Sequence, residues 1–275
     1  MNKVRCIVCD IDYTLAVKGG MLMPLTKKSL TVAHKRGIKI GLASGREIDR
    51  KLINQDVIWD LDFKFDFIIG MNGGQVRDIE NNNYYSVDLM DIDYMKKIIS
   101  SVNDIVMDNK IAVNVEGGNN MYAININEEL IAVQKRKGVV YLDASDNIDL
   151  LCSKPAYKFL FRSTKENCEL IRKRVKKFYP EELQCIETFP GTIEVFKSGY
   201  DKGTGLKMYA DWNSIDMEDI VAFGDNENDI PMLKAAGTGV AVSNATDVTK
   251  KAADKVSEYS CFEDGVGHYL LDHIL

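Results

Sequence analysis

Short runs of mainly apolar residues, rich in Val and Ile, occur near both ends of the chain. The clearest are residues 4–9, 38–43, 67–69, 220–223 and 239–242. These runs lack the regular polar alternation of a half-exposed strand, so each is typical of a strand that is buried on both faces of a parallel sheet.

Helical patterns separate these runs. Residues 26–36 carry Thr26 at the N-cap position and are followed by Gly37, a common C-terminal stop. Further helices are predicted at residues 204–212 and 246–253. Since strands and helices alternate, the two ends of the chain are predicted to form one doubly wound, Rossmann-like α/β core with a parallel sheet.

The middle of the chain has a different pattern. Residues 91–106 and 164–178 are predicted helices, whereas residues 111–115 and 122–126 are shorter runs with partial alternation. This order is typical of an α+β fold with an antiparallel sheet. The sequence therefore predicts an inserted α+β domain within the α/β core.

The length of the chain agrees with two domains, because 275 residues exceed the roughly 100 to 200 residues of one hydrophobic core. We assign residues 1–80 and 193–275 to the core and residues 81–192 to the insertion. A hydrophobic content of 45% and a charged content of 28% indicate a folded protein rather than a disordered one.

The charge balance indicates the class of partner. The chain has 35 Lys and Arg against 41 Asp and Glu, a formal net charge of −6. Nucleic acids and anionic membranes recruit concentrated basic residues, so this balance favours small-molecule partners and argues against nucleic acid or a membrane.

Two features predict a cytoplasmic location. No apolar run approaches the ~20 residues of a transmembrane helix, and Asp10 and Asp12 interrupt the first run before it could serve as a signal-peptide core.

The six cysteines are predicted to be free thiols, because a chain of this size needs no disulfides. Cys6 and Cys9 are three apart in a strand and point to opposite faces, so we interpret them as core residues.

Candidate chemistry begins where the first run ends. Asp10 and Asp12 are two apart in an extended segment, so their carboxylates can converge on one point. Two neighbouring carboxylates repel each other unless a cation neutralises them or their pKa values are driven apart. The alternative interpretation is that strands often end in Asp because this residue starts turns.

Two further strands end in polar groups beside Gly. These are Ser44, Gly45 and Arg46 after the second run and residues 224–229 after the fourth. Ligands of open α/β sheets bind outside the carboxyl ends of the strands, which predicts a site at this edge.

Within residues 224–229, Asp225 and Asp229 are four apart and would share one side of a helical turn that Asn228 can cap. The alternative for Asp229 is a contact with the helix dipole. Asn72 and Gly73 also have two interpretations: a substrate-facing loop, or a type I′ hairpin turn between residues 68–69 and 75–76.

The ordered motifs resemble those of the haloacid dehalogenase superfamily of phosphatases. They are residues 10–15, Ser44, Lys202 and residues 224–229. Residues 71–74 and 201–203 look more narrowly like the Cof-type members with a large type IIB cap. The segment between residues 15 and 24 is too short to hold a domain, so a cap fits only between Ser44 and Lys202.

This resemblance implies roles for individual residues. Asp10 would be the nucleophile that forms an aspartyl-phosphate, and Asp12 would be the general acid and base. Lys202 would be catalytic and would bind the phosphoryl oxygens together with Ser44. The remaining residues implied to bind phosphate or substrate are Gly45, Arg46, Asn72, Gly73 and Asn228.

The resemblance also implies Mg²⁺ as the cofactor. Asp10, the backbone carbonyl of Asp12, and Asp225 would hold the ion, and Asp229 would orient metal-bound water or Lys202. Tyr13 departs from the pattern, because many Cof-type sequences have Gly there. We expect this change to affect substrate admission rather than the first chemical step.

The predicted function is thus a Mg²⁺-dependent phosphatase of small phosphorylated metabolites, such as sugar phosphates, pyridoxal phosphate or flavin mononucleotide. Loops at residues 116–120 and 189–192 of the cap are predicted to set specificity. The same site could serve a phosphotransferase or sugar phosphomutase. A non-enzymatic regulator phosphorylated on Asp10, like a receiver domain, is a third possibility, although Asp12 argues against it because an acid/base favours turnover.

Overall fold

The structure, a computed structural model, describes residues 4–17, 20–117 and 120–275. Its packing divides the chain into two compact units. The core unit combines the residues up to Val87 with Tyr200–Leu275, and the inserted unit is Asp88–Gly199. The chain therefore crosses between units after residues 87 and 199, whereas the sequence analysis placed these crossings after residues 80 and 192.

The first part of the core unit alternates strands and helices and then ends in two short strands. Its elements are β1 (Cys6–Asp10), α1 (Pro24–Lys35), β2 (Lys39–Ala43), α2 (Arg50–Ile53), α3 (Gln55–Ile58), β3 (Phe67–Gly70), β4 (Gln75–Asp78) and β5 (Tyr84–Ser86). Because β5 pairs with β4, the sheet of the core unit extends beyond the predicted crossing at residue 80.

Helix α1 begins at Pro24 rather than after a Thr26 cap. Proline suits the first turn of a helix, where a free N–H would have no intrahelical acceptor. The backbone N–H of Thr26 donates to Asp264 over 2.7 Å, and its hydroxyl accepts from the N–H of Gly267 over 3.2 Å. Thr26 therefore joins two parts of the core unit instead of capping its own helix.

The inserted unit contains the following elements: α4 (Ile92–Asp108), β6 (Ala112–Glu116), β7 (Tyr122–Ile124), α5 (Glu128–Lys137), β8 (Leu142–Asp143), α6 (Ile148–Leu151), β9 (Lys158–Arg162), α7 (Lys165–Phe178), β10 (Leu183–Phe189) and β11 (Thr192–Lys197). Its sheet has the order β10-β11-β9-β6-β7-β8. Neighbouring strands are antiparallel except β7 and β8, which are parallel.

One face of this sheet packs against α4 and α7. Val113, Phe159 and Phe161 of the sheet share a buried cluster with Ile98 and Ile171 of the two helices. Since β11 pairs with β9, the whole of Thr192–Lys197 belongs to the inserted unit, which explains the later second crossing. Of the two loops predicted to set specificity, residues 189–192 connect β10 and β11, and residues 118–119 of the other lie outside the described residues.

The chain then returns to the core unit. The elements of this part are α8 (Lys202–Trp212), β12 (Ile220–Gly224), α9 (Ile230–Ala235), β13 (Thr238–Ala241), α10 (Asp247–Ala252), β14 (Lys255–Val256) and α11 (Gly265–His273). The sheet has the order β14-β13-β12-β1-β2-β3-β4-β5. The strands from β14 to β3 are parallel, and β4 and β5 are antiparallel additions.

This architecture confirms the predicted fold class, a doubly wound parallel core with an α+β insertion. The strand order reverses at β1, because β2 lies on one side of it and β12 on the other. A crevice forms at the carboxyl edge of such a switch point. Strands β1, β2 and β12 all end at this edge.

The two faces of the core sheet explain the buried cysteines. Cys9 belongs to the apolar cluster on one face and Cys6 to the cluster on the other. All six cysteines are buried and free, as predicted. Among the described residues, no helix combines the length and the apolar character needed to cross a bilayer.

Candidate active site

Lys202 lies at the centre of the site. It is the first residue of α8, which Asp201 caps through a bond from the N–H of Thr204. Its ammonium Nζ is 2.6 Å from Oδ1 of Asp10 and 2.6 Å from Oδ1 of Asp229. Burial alone would lower the pKa of Lys202, but the two carboxylates outweigh it and raise this pKa. Lys202 is therefore a fully buried cation between two acids.

Three carboxylates meet at the same point. Oxygens of Asp10, Asp225 and Asp229 lie within 4.8 Å of one another. Burial raises the pKa of Asp10 to about 7, although Lys202 partly offsets it. Burial, followed by the charges of Asp10 and Asp229, raises the pKa of Asp225 to about 9. One lysine thus faces three acids, so the cluster carries excess negative charge once they ionise.

This donor set fits a hard divalent cation. Mg²⁺ prefers oxygen ligands and usually takes only one or two carboxylates from a protein. A cation would also balance the charge that Lys202 leaves uncompensated among Asp10, Asp225 and Asp229.

Asp229 differs from the other two acids because both of its oxygens already accept hydrogen bonds. Oδ1 accepts from Lys202, and Oδ2 accepts from the N–H groups of Asp225 and Asn226 over 2.9 and 3.0 Å. Gly224 makes this turn possible, because a Cβ there would lie 2.4 Å from Cβ of Asp229. Asp229 thus anchors both the lysine and the loop that carries Asp225.

The carboxylate of Asp12 lies apart from this cluster. Its two oxygens are each 2.6 Å from Nη2 of Arg46. Ser44 is nearly buried, and its hydroxyl accepts from the N–H of Arg46 over 3.2 Å. Arg46, which was predicted to bind phosphate or substrate, thus forms an ion pair with Asp12, the predicted acid/base. The metal role predicted for Asp12 concerns its backbone carbonyl and not this carboxylate.

The loop after β3 connects several site residues. Asn72 donates its N–H to the carbonyl of Ser44 over 3.0 Å, and its side-chain oxygen accepts from Nδ2 of Asn228 over 3.0 Å. A Cβ at Gly45 would lie 3.1 Å from this same oxygen. Asn72 therefore ties the loop after β2 to the loop after β12.

The predicted hairpin between β3 and β4 is present, with Ile69 opposite Val76. Its connection is longer than a two-residue type I′ turn and includes Asn72 at φ +53° and Gly73 at φ +98°. Gly is required at position 73, because a Cβ would lie 1.9 Å from the carbonyl oxygen of Asp201. The prediction that Asn228 caps the turn after β12 is wrong: Asn226 is the cap, and Asn228 instead contacts Asn72.

Two residues to which the sequence analysis gave no role also contact this edge. Thr14 donates its hydroxyl to Oδ1 of Asp225 over 2.9 Å. Asn244 donates from Nδ2 to the carbonyl of Tyr13 over 2.8 Å. Thr14 belongs to the first motif, so the motif could have identified it as a site residue. Asn244 lies in the loop after β13, where no sequence motif indicates it.

Comparison with known proteins identifies the same family as the sequence motifs. A family model for haloacid dehalogenase-like hydrolases matches residues 7–270. The 5-amino-6-(5-phospho-D-ribitylamino)uracil phosphatase YcsE of Bacillus subtilis is 24% identical over 274 residues, covering 99% of this chain and 96% of that protein. The pyridoxal phosphate phosphatase YbhA of Escherichia coli is 37% identical over 93 residues, 34% of each chain.

Solved structures share the fold over the whole chain. One is BT4131, described as a HAD subclass IIB sugar phosphatase. It has a TM-score of 0.78 at 23% identity, covering 98% of this chain and 100% of that one.

Proposed function

Since the chain belongs to the haloacid dehalogenase-like hydrolases, we propose that it is a Mg²⁺-dependent phosphatase that works through an aspartyl-phosphate on Asp10. The observation that carries this proposal is the position of Asp10. Its carboxylate lies 2.6 Å from a buried lysine and within 4.8 Å of Asp225 and Asp229. The carboxylate of Asp10 is therefore held close to the positive charge of Lys202, which an incoming phosphoryl group requires.

In the first step, Asp10 attacks phosphorus. A bond forms between phosphorus and a carboxylate oxygen of Asp10, and the bond from phosphorus to the leaving oxygen breaks. Asp12 gives its proton to that oxygen. Lys202 favours the ionised form of Asp10 and stabilises the negative charge on the phosphoryl oxygens. Since Arg46 pairs with Asp12 in the described structure, that contact loosens when Asp12 acts as an acid.

In the second step, water attacks the phosphorus of the aspartyl-phosphate. Asp12 takes a proton from this water as its oxygen bonds to phosphorus, and the bond from phosphorus to Asp10 breaks, which restores the carboxylate of Asp10 and releases inorganic phosphate. Ser44 and the loop of Asn72 and Gly73 lie beside this path and are proposed to bind phosphoryl oxygens.

The metal would be held by Asp10, Asp225 and the backbone carbonyl of Asp12. Asp229 would hold Lys202 and the loop of Asp225 in place. When bound, Mg²⁺ would offset the repulsion between the nucleophile and the negatively charged substrate. Thr14 and the turn at Asn226 fix the carboxylate of Asp225 and its loop for this purpose.

Small phosphorylated metabolites are the proposed substrates. The relatives named above are phosphatases of pyridoxal phosphate and of a phosphoribitylaminouracil, which supports this class. The six free, buried cysteines support a reducing compartment, and we propose the cytoplasm. The role of Asp88–Gly199 as a cap remains a prediction from the family resemblance.

The test is phosphate release from a panel of phosphorylated metabolites with Mg²⁺ or with EDTA. We expect release that needs Mg²⁺ and is lost in Asp10→Asn. Asp62→Asn is the matched control, because Asp62 makes an exposed ion pair with Lys35. Equal activity of Asp10→Asn and wild type would disprove the proposal. Conversion of one sugar phosphate to its isomer without phosphate release would instead identify a mutase.

A further inference from the structure

Two aromatic side chains of the core unit contact each other, and one of them is next in the chain to Asp12. Tyr13 directly follows Asp12, and Phe262 lies in the segment after β14. Their ring centroids are 6.4 Å apart, and the ring planes are tilted by 57°. This is the separation and inclination of an ordinary aromatic contact. The pair therefore lies next to the residue that would protonate the leaving oxygen.

The segment of Phe262 is joined to the site by the loop after β13. In this loop, Thr246 donates its N–H to the carbonyl of Asp225 over 2.9 Å, and Ser243 donates to the carbonyl of Tyr259 over 3.2 Å. The charge of Asp225, after burial, also raises the pKa of the Cys261 thiol to about 11. Phe262 thus follows a residue that lies within electrostatic range of Asp225.

One amide group connects Tyr13 to Cys261, the residue before Phe262. Asn244 donates from Nδ2 to the carbonyl of Tyr13 over 2.8 Å, and its Oδ1 accepts from the N–H of Cys261 over 2.8 Å. The two backbones are therefore held at a constant separation. The backbone that carries the two rings is therefore preorganised, which lowers the ordering cost of a ligand contact.

The backbone conformation of Tyr13 and the exposure of Phe262 do not contribute to the packing of the hydrophobic core. Tyr13 has φ +68°, a left-handed conformation that glycine adopts without strain and a bulky side chain does not. Phe262 is 52% exposed, so its ring remains largely in contact with solvent. A strained tyrosine and an exposed phenylalanine at one edge of a site are better explained by ligand contact than by folding.

We propose that Tyr13 and Phe262 form a contact surface for a planar ring in the leaving group. The substrates favoured by this surface are phosphate monoesters whose alcohol carries an aromatic or heteroaromatic ring. The inference rests on the proposed function, because that function places the leaving oxygen at Asp12. Tyr13 directly follows Asp12, with a Cα spacing of about 3.8 Å, and the proposal places a ring one or two bonds from this oxygen against Tyr13.

The test compares two ligands of similar size, benzyl phosphate and cyclohexylmethyl phosphate. Binding is measured by calorimetry in the Asp10→Asn background with Mg²⁺, so that turnover does not interfere. We expect benzyl phosphate to bind about two- to tenfold more tightly, the range of one aromatic contact. Phe262→Leu and Tyr13→Gly should each reduce this preference, and Tyr13→Phe should retain it.

Two results would overturn the inference. One is equal binding of the two ligands in the Asp10→Asn protein. The other is a preference for benzyl phosphate that persists in the Tyr13→Gly, Phe262→Leu double variant. Thermal unfolding of each variant confirms that it is folded. Failure of the proposed function would appear separately, as wild-type protein that releases no phosphate in the presence of Mg²⁺.

Discussion

Arg46 holds the carboxylate of Asp12 through a single nitrogen, Nη2, which lies 2.6 Å from both carboxylate oxygens. The carboxylates of Asp10 and Asp229 instead share Lys202. The two aspartates of the first motif therefore have separate cationic partners. This separation suits a nucleophile and an acid/base that carry out different parts of one reaction.

The first prediction concerns the leaving group. Asp12→Asn should lower kcat/KM for an alkyl phosphate by about 10² to 10⁴, the usual contribution of a general acid. The loss should be much smaller for 4-nitrophenyl phosphate, because nitrophenolate leaves without needing a proton. The measurement is kcat/KM for both substrates with Mg²⁺, because kcat also includes hydrolysis of the aspartyl-phosphate, in which Asp12 acts as the base.

Asp10→Asn provides the comparison for this prediction, since loss of the nucleophile should abolish turnover of both substrates. Arg46→Ala should act in the same direction as Asp12→Asn but more weakly, because it removes the partner that orients Asp12. If Asp12→Asn lowers kcat/KM of both substrates by the same factor, Asp12 does not protonate the leaving oxygen.

The second prediction links pH and metal to stability. The pKa values of Asp10 and Asp225 are raised to about 7 and about 9 in the metal-free chain, against about 4 when unfolded. Both groups therefore bind protons more tightly in the folded state, and the stability of the metal-free protein falls as pH rises from about 4 through 7 towards 9. In EDTA, Tm should be lower at pH 8 than at pH 5.5.

Mg²⁺ should oppose this loss because it binds the ionised carboxylates of the folded state. The gain in Tm on adding Mg²⁺ should be larger at pH 8 than at pH 5.5. Asp225→Asn removes one of the titrating groups and should reduce both the pH dependence in EDTA and the response to Mg²⁺. A variant with the same pH slope and Mg²⁺ response as wild type would contradict this account.

The third prediction concerns Gly73. A Cβ at this position would lie 1.9 Å from the carbonyl oxygen of Asp201, and φ is +98°. Gly73→Ala should reduce the free energy of unfolding by about 2 to 4 kcal/mol, from backbone strain and overpacking together. It should also lower activity, because Asp201 caps the helix that begins with Lys202. Urea unfolding and phosphate release measure the two effects.

Gly37→Ala is the matched control, because Gly37 also has a positive φ, +79°, but a Cβ there would meet nothing within 4 Å. Gly37→Ala should reduce the free energy of unfolding only through backbone strain, by about 1 to 2 kcal/mol, and should leave activity unchanged. Similar losses of stability and activity in both alanine variants would show that the contact with Asp201 is unimportant.

The convergence of Asp10 and Asp225 was predictable because strand ends of a parallel sheet meet at one edge, whereas Lys202, the first residue of α8, was indicated only by the family resemblance. The hydrophobic runs located β1, β2 and β12 to within a few residues, and the polar groups that follow them necessarily share that edge. The predicted fold class and the predicted family of phosphatases are both confirmed.

Contacts that depend on side-chain direction or on distant loops could not be predicted. The pairing of Arg46 with Asp12 depends on the rotamer of a long side chain, which spacing does not determine. Asn244 reaches Tyr13 from 231 positions along the chain. The crossings between units were placed too early because β5 and β11 are sheet strands whose partners, β4 and β9, could be identified only in the folded chain.

The last prediction concerns the hydrogen bond between Asn72 and Asn228, in which Nδ2 of Asn228 donates to Oδ1 of Asn72 over 3.0 Å. Both side chains are largely buried, so removal of one takes a hydrogen-bond partner from the other in a place where water does not readily replace it. Asn72→Ala and Asn228→Ala should each raise KM for phosphate esters, because the bond ties the loop of Ser44 to the loop after β12. The double variant should be less impaired than the product of the two single effects, with a coupling of about 0.5 to 1.5 kcal/mol. Strict multiplication of the two effects on kcat/KM would show that the asparagines act independently and would contradict a role for the bond between them.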